Sequence, residues 1–259
     1  MSKIKLIVTE QNIGLLVATY IKHKINDFKP SAKKPFVIGF PTGSTPLDMY
    51  KYLTEFYKKG ELSFKHVISF NLDEYVGLDV KNPQSYHSYM HKNLFDHIDI
   101  PAENINIPDG NAKDLQAACR EYDAKIKRCG GMDLFLGGVG RNGHIAFNEP
   151  GSPFDSPTRV VTLNENTRVA NARFFNDDPS AVPAHAISMG LGTIMSAREI
   201  IILVSGAKKA DAVRRAVEGP RDTNCSLTVL QEHPSAYIVA DREAASLLST
   251  SSDCFCSFR

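Results

Sequence analysis

Met132-Asp-Leu-Phe-Leu-Gly-Gly-Val139, followed by Gly140-Arg-Asn-Gly-His-Ile-Ala-Phe-Asn-Glu-Pro-Gly151, decides the fold. The first eight residues are almost continuously apolar instead of alternating. A strand reads this way when helices cover both its faces. Five more runs of the same kind lie along the chain: KIKLIV (3–8), PFVIGF (35–40), HVISFNL (66–72), EIIILVS (199–205) and AYIVAD (236–241). Helical patterns separate them, at about 10–28, 45–59, 83–95, 111–129, 207–218 and 241–248. The clearest is 111–129, where Leu115, Ala118, Cys119, Tyr122 and Ile126 recur at helical spacing. Strands alternating with helices predict a doubly wound α/β domain.

The expected organisation is one domain over 1–248 and a frayed tail over 249–259. Segment 150–186 is rich in Pro, Asp and Asn and breaks the alternation, so it is expected to be a lid-like excursion. The 259 residues carry 42% hydrophobic and 23% charged side chains, which excludes a disordered chain. Thirty Lys and Arg stand against 29 Asp and Glu, for a net charge of +1. That balance argues against nucleic acid or a polybasic membrane contact as the main partner. No apolar run approaches the roughly 20 residues of a transmembrane helix. The five cysteines form no CxxC pair and no zinc pattern, and are read as reduced thiols of a cytoplasmic protein.

In doubly wound folds ligands bind beyond the carboxyl ends of the strands, so the residues after each strand matter most. After 35–40 comes Pro-Thr-Gly43-Ser44-Thr45-Pro46. A tight Gly turn here leads into a helix expected to be capped by Ser or Thr, whose free N–H groups and dipole suit a phosphate. No Gly-Lys-Ser/Thr follows, so the phosphate belongs to a small metabolite and not to ATP. The plain alternative is an ordinary capped turn.

After 66–72 come Asp73 and Glu74, adjacent carboxylates that a continuing strand points to opposite faces. One is expected to face a ligand and the other solvent or a structural partner. A shielded carboxylate has a raised pKa, which suits a base. After 132–139, Gly138, Gly140 and Gly143 satisfy the G-x-G-x-x-G spacing of dinucleotide sites. Pro150 and Gly151 cut off the helix that such a site requires, so the glycines are read as folding a loop that carries His144 and Glu149 to a ligand. After 199–205, Lys208 and Lys209 begin a helix, where cations oppose the dipole unless an anion is present. Arg168 and Arg173 are further candidates for bidentate phosphate contacts. His87 and His91 stand four apart, which is metal-ligand spacing, but no third ligand is evident and no metal is expected.

Taken in order, these segments resemble the glucosamine-6-phosphate deaminase (isomerase) family from about residue 3 to about 218. The likeness is densest in SFNLDEYVGL (69–78), GGVGRNGHIAFNEPGS (137–152) and TRVANARFF (167–175). It implies a Rossmann-like, doubly wound fold with a mostly parallel sheet. It also implies conversion of glucosamine 6-phosphate to fructose 6-phosphate and ammonia without metal or organic cofactor, with a sugar phosphate as partner. A homo-oligomer is compatible with it. By the same resemblance Asp73, Asn142, His144 and Glu149 are catalytic, and Gly43, Ser44, Thr45, Arg173 and Lys209 hold the phosphate. Asp73 would take the C2 proton, and His144, paired with Glu149, would open the pyranose ring.

Asn142 stands where one well-known branch of the family carries Asp. It can still accept a hydrogen bond from the imidazole, without adding charge. In the allosteric branch a basic residue stands two positions after the Arg that matches Arg159. Here it is Val161, so activation by N-acetylglucosamine 6-phosphate is not expected. Two other activities fit the same fold: hydrolysis of 6-phosphogluconolactone, and sugar-phosphate sensing without catalysis.

Overall fold

The computed structural model describes residues 4–249. Six of its strands coincide with the apolar runs: β1 (Lys5–Val8), β2 (Phe36–Phe40), β3 (Val67–Asn71), β6 (Leu134–Gly138), β9 (Ile200–Val204) and β10 (Ala236–Ala240). With the two-residue β5 (Ile105–Asn106) they form one sheet in the order β1-β10-β9-β6-β2-β3-β5, parallel throughout. Helices α1 (Ile13–Phe28) and α2 (Leu47–Lys58) pack on one face, and α4 (Leu115–Arg128) and α7 (Ala210–Glu218) on the other. The period-2 geometry of a strand explains the continuous apolar runs. Along β9, Ile201 and Leu203 join the α1–α2 core while Ile200, Ile202 and Val204 join the α4–α7 core.

From β2 the chain winds outward through β3 to β5. From β6 it winds the other way through β9 and β10. The order therefore reverses between the neighbours β2 and β6, and a crevice opens at their carboxyl ends. Segments 41–45 and 139–149 leave the sheet there.

The excursion is more ordered than its composition suggested. Strands β7 (Arg159–Thr162) and β8 (His185–Ser188) pair antiparallel, and β8 pairs with β4 (Asp73–Tyr75) to make a second, three-stranded sheet. Helix α5 (Glu165–Asn171) lies between β7 and β8, and a third core gathers Tyr75, Phe147, Leu163 and Val182. The short α3 (Tyr86–Asn93) and α6 (Leu191–Met195) complete the helices.

Two expectations are corrected. Segment 241–248 forms successive turns instead of a helix. The Asp241 carboxylate accepts from the N–H groups of Gly206 and Ala244 and from the Ser205 hydroxyl, and later bonds such as Leu248 N–H to Ala245 have the short reach of turns. At α2, neither Ser44 nor Thr45 caps the helix; Pro46 occupies the cap position with no side-chain bond. Pro46 itself adopts helical dihedrals, which carries the bend upstream into the Gly43 turn. The tail at 250–259 lies outside the described residues.

Candidate active site

Asp73 follows β3 by one residue and opens β4. Asn71, at the end of β3, donates its amide to the Phe40 carbonyl at the end of β2 (3.0 Å), which locks the two strand ends together. The chain then leaves the main sheet, and Asp73 pairs with Ser188 in the small one. The two carboxylates separate as the strand pleat predicts. Glu74 accepts the backbone N–H groups of Tyr75, Tyr86 and His87 at 2.8, 3.0 and 2.9 Å, so it serves the first turn of α3. Asp73 is also buried, at 6% exposure, but its Oδ1 meets no donor. Burial, and then the Glu74 charge beside it, push the Asp73 carboxyl up to about 8. Such a group holds its proton firmly and lacks any structural hydrogen bond on one oxygen.

The loop after β6 presents the second set. The Gly140 N–H bonds to the His144 carbonyl (2.8 Å), closing a tight loop. A Cβ on Gly140 would stand 2.2 Å from the His144 ring, so the glycine is what admits the imidazole. Gly143 has φ +85°, and a Cβ there would meet Cys225 Sγ at 2.3 Å. Of the three glycines in the G-x-G-x-x-G spacing, Gly140 is required by the His144 ring and Gly143 by its positive φ and by Cys225, while a Cβ on Gly138 would meet nothing.

His144 Nδ1 lies 3.6 Å from Glu149 Oε2. Glu149 also receives the Asn142 amide at 2.9 Å and the Thr167 hydroxyl. Burial raises the Glu149 pKa, but His144, Thr167 and Asn142 together outweigh it and hold the carboxyl at about 2. Asn142 plays a different part from the one expected. Its oxygen accepts the His144 backbone N–H (3.2 Å), not the imidazole, while its amide braces Glu149.

The phosphate candidates lie on both sides of the crevice. Tyr50 and Tyr89 donate their hydroxyls to the carbonyls of Pro41 and Gly43. The N–H groups of Gly43, Ser44 and Thr45 meet no acceptor among the described residues. Lys209, just before α7, donates to the Val139 carbonyl (2.7 Å). Burial, and then the charges of Arg141 and Arg173, lower its amine to about 8. Arg168 is directed elsewhere, to the Pro179 carbonyl (2.9 Å). His87 and His91 stack at 4.5 Å in an exposed depression, and no three His, Cys, Asp or Glu among the described residues form a metal-sized cluster.

The sequence reading missed the residues that hold the loops. Ser188 pairs with Asp73 and also accepts the Phe147 N–H on its hydroxyl (3.1 Å), so one residue ties both candidate catalytic segments. Ser226 Oγ bonds the Asn148 carbonyl at 2.7 Å, the Leu227 N–H bonds the Gly143 carbonyl at 2.8 Å, and Arg159 reaches the Asn148 side chain at 2.7 Å. None carries a motif of its own; their role follows only from the fold.

The family model of glucosamine-6-phosphate isomerases and 6-phosphogluconolactonases matches residues 9–245. A solved monomeric glucosamine-6-phosphate deaminase is 41% identical, with a TM-score of 0.89 over 94% of this chain and 100% of that one. The 6-phosphogluconolactonases of Thermotoga maritima (17% identical, TM-score 0.72, 91% of this chain and 98% of that one) and Trypanosoma cruzi (21%, 0.71, 96% and 98%) share the fold. Among the described residues no helix is long and apolar enough to cross a membrane. The chain belongs to the glucosamine-6-phosphate isomerase/6-phosphogluconolactonase family.

Proposed function

We propose that this protein converts glucosamine 6-phosphate and water to fructose 6-phosphate and ammonia, as a cytoplasmic enzyme of amino-sugar metabolism. The observation that carries the reading is Asp73, a buried carboxyl with an unpaired oxygen and a high proton affinity, just beyond the carboxyl end of β3. Aldose–ketose isomerisation moves a proton off carbon and needs such a base. Lactone hydrolysis takes no proton from carbon; its base acts on water. The 41% identical deaminase supports the same choice over the more distant lactonases.

In this scheme the phosphate sits on the N–H groups of Gly43, Ser44 and Thr45, opposite Lys209 and Arg173. That remote contact positions the reacting carbons. His144, oriented by Glu149, moves the O1 proton to O5 and opens the ring. The substrate's ammonium lies beside Asp73 and favours its ionised form. Asp73 then takes the C2 proton; the C2–H electron pair forms C1=C2, the C1=O pair moves to O1, and O1 takes the proton that the ammonium gives up, leaving a neutral enolamine. Protonation at C1 gives an iminium at C2. Water adds there, and ammonia leaves. The scheme uses no metal and no organic cofactor.

Offering purified protein glucosamine 6-phosphate and 6-phosphogluconolactone side by side tests this reading. Ammonia and fructose 6-phosphate in equal amounts from the first are expected, with no accelerated hydrolysis of the second. The reverse pattern establishes the lactonase, and binding without turnover of either establishes a sensor.

A further inference from the structure

Three cations are grouped near the carboxyl end of β6: Lys209 from the turn before α7, Arg141 from the loop after β6 and Arg173 from the turn after α5. Lys209 reaches the Val139 carbonyl at 2.7 Å. Arg141 stands two residues beyond that carbonyl, and Arg173 lies in the turn after α5. The charges of both arginines bear on the Lys209 amine. No carboxylate answers them among the described residues. Arg173 lies over the Phe174 ring at 4.6 Å, and Arg141 has no side-chain partner among the described residues. Like charges gathered without a counter-charge repel, and a bound anion reverses the sign of that interaction.

Lys209 and Arg173 already have places in the proposed phosphate clamp; Arg141 has none. We propose that Arg141 is a substrate-binding residue that closes the phosphate clamp from the loop carrying His144. Its guanidinium offers a planar fork suited to two phosphate oxygens. The position has a second consequence. Arg141 directly precedes Asn142, which holds both the His144 backbone and Glu149. A phosphate gripped by Arg141 therefore fixes the loop that opens the ring, so that phosphate binding and loop order are coupled. The inference rests on the sugar-phosphate reading of the site given above.

The test compares Arg141→Ala and Arg141→Lys with Lys208→Ala, a neighbouring exposed cation outside the clamp. Two quantities are measured: KM and kcat for glucosamine 6-phosphate, and the Kd for inorganic phosphate by calorimetry. Arg141→Ala is expected to weaken phosphate binding and raise KM by roughly tenfold, as loss of a charged hydrogen bond does. Arg141→Lys should recover part of the loss, and Lys208→Ala should match the wild type. Phosphate affinity unchanged in Arg141→Ala overturns the inference, as does a wild-type protein that binds no phosphate. Phosphate binding that depends on Arg141, in a wild type that does not turn over glucosamine 6-phosphate, keeps the inference and removes the deaminase reading.

Discussion

Asp73 and Glu74 are consecutive buried carboxylates, yet backbone donors meet only Glu74. The pleat of β4 sends one to the first turn of α3 and leaves the other with an unpaired oxygen. This asymmetry separates a structural acid from a reactive one within two residues, and it leads to opposite expectations for their variants.

Asp73→Asn should lower kcat by roughly a hundredfold or more, the usual contribution of a general base, with little change in substrate affinity. It should also stabilise the protein. The folded pKa of about 8 lies above the ordinary 3.8, so unfolding releases this proton across that window and stability falls as pH rises through it. Asn escapes that loss. Thermal melts should show a higher Tm for the variant at pH 7–8, with the gain vanishing below pH 4.

Glu74→Gln should do the reverse. One of three backbone donors would face an amide NH₂, at a penalty of about 1–3 kcal/mol in urea unfolding. Removing the charge beside Asp73 should also move the acidic limb of the kcat/KM profile to lower pH. A purely structural role would change the urea midpoint and leave that limb in place.

For Glu149→Gln we expect a fall in kcat of roughly tenfold or more, since the carboxylate that orients His144 is lost. Glu149 has a folded pKa of about 2 against an ordinary 4.5. Its stabilising effect is therefore present above pH 4.5 and disappears as pH falls towards 2. Urea midpoints of wild type and variant should differ near neutrality and converge in that acid window.

Gly140→Ala places a methyl within 2.2 Å of the His144 ring. Activity should drop far more than Tm, because the imidazole can swing aside while the main sheet is untouched. Equal losses of both would show that the loop is a folding element and not a mount for His144.

The parallel sheet was legible in the sequence because each of its main strands is buried on both faces, as β9 shows with Ile200 to Val204. The second sheet was not. Its strands β7 and β4 are short, and β7 is only half-buried, so Arg159-Val-Val-Thr162 carries neither a continuous nor a clean alternating signal. The positions of Asp73, His144 and Glu149 beyond strand ends followed from local sequence. The roles of Ser188, Ser226 and Arg159 did not, because their partners lie 41, 78 and 11 residues away. Asn142 lies in the loop the motif predicts, but its oxygen does not reach the imidazole. Only the folded loop shows that its oxygen is taken by the His144 backbone.

The most direct measurement follows ammonia and fructose 6-phosphate together from glucosamine 6-phosphate, in the wild type and in Asp73→Asn at equal concentration. The account predicts both products in a one-to-one ratio from the wild type and their formation slowed by roughly a hundredfold or more in the variant, which should still bind the substrate. Undiminished turnover in Asp73→Asn, or fructose 6-phosphate without ammonia, would contradict it.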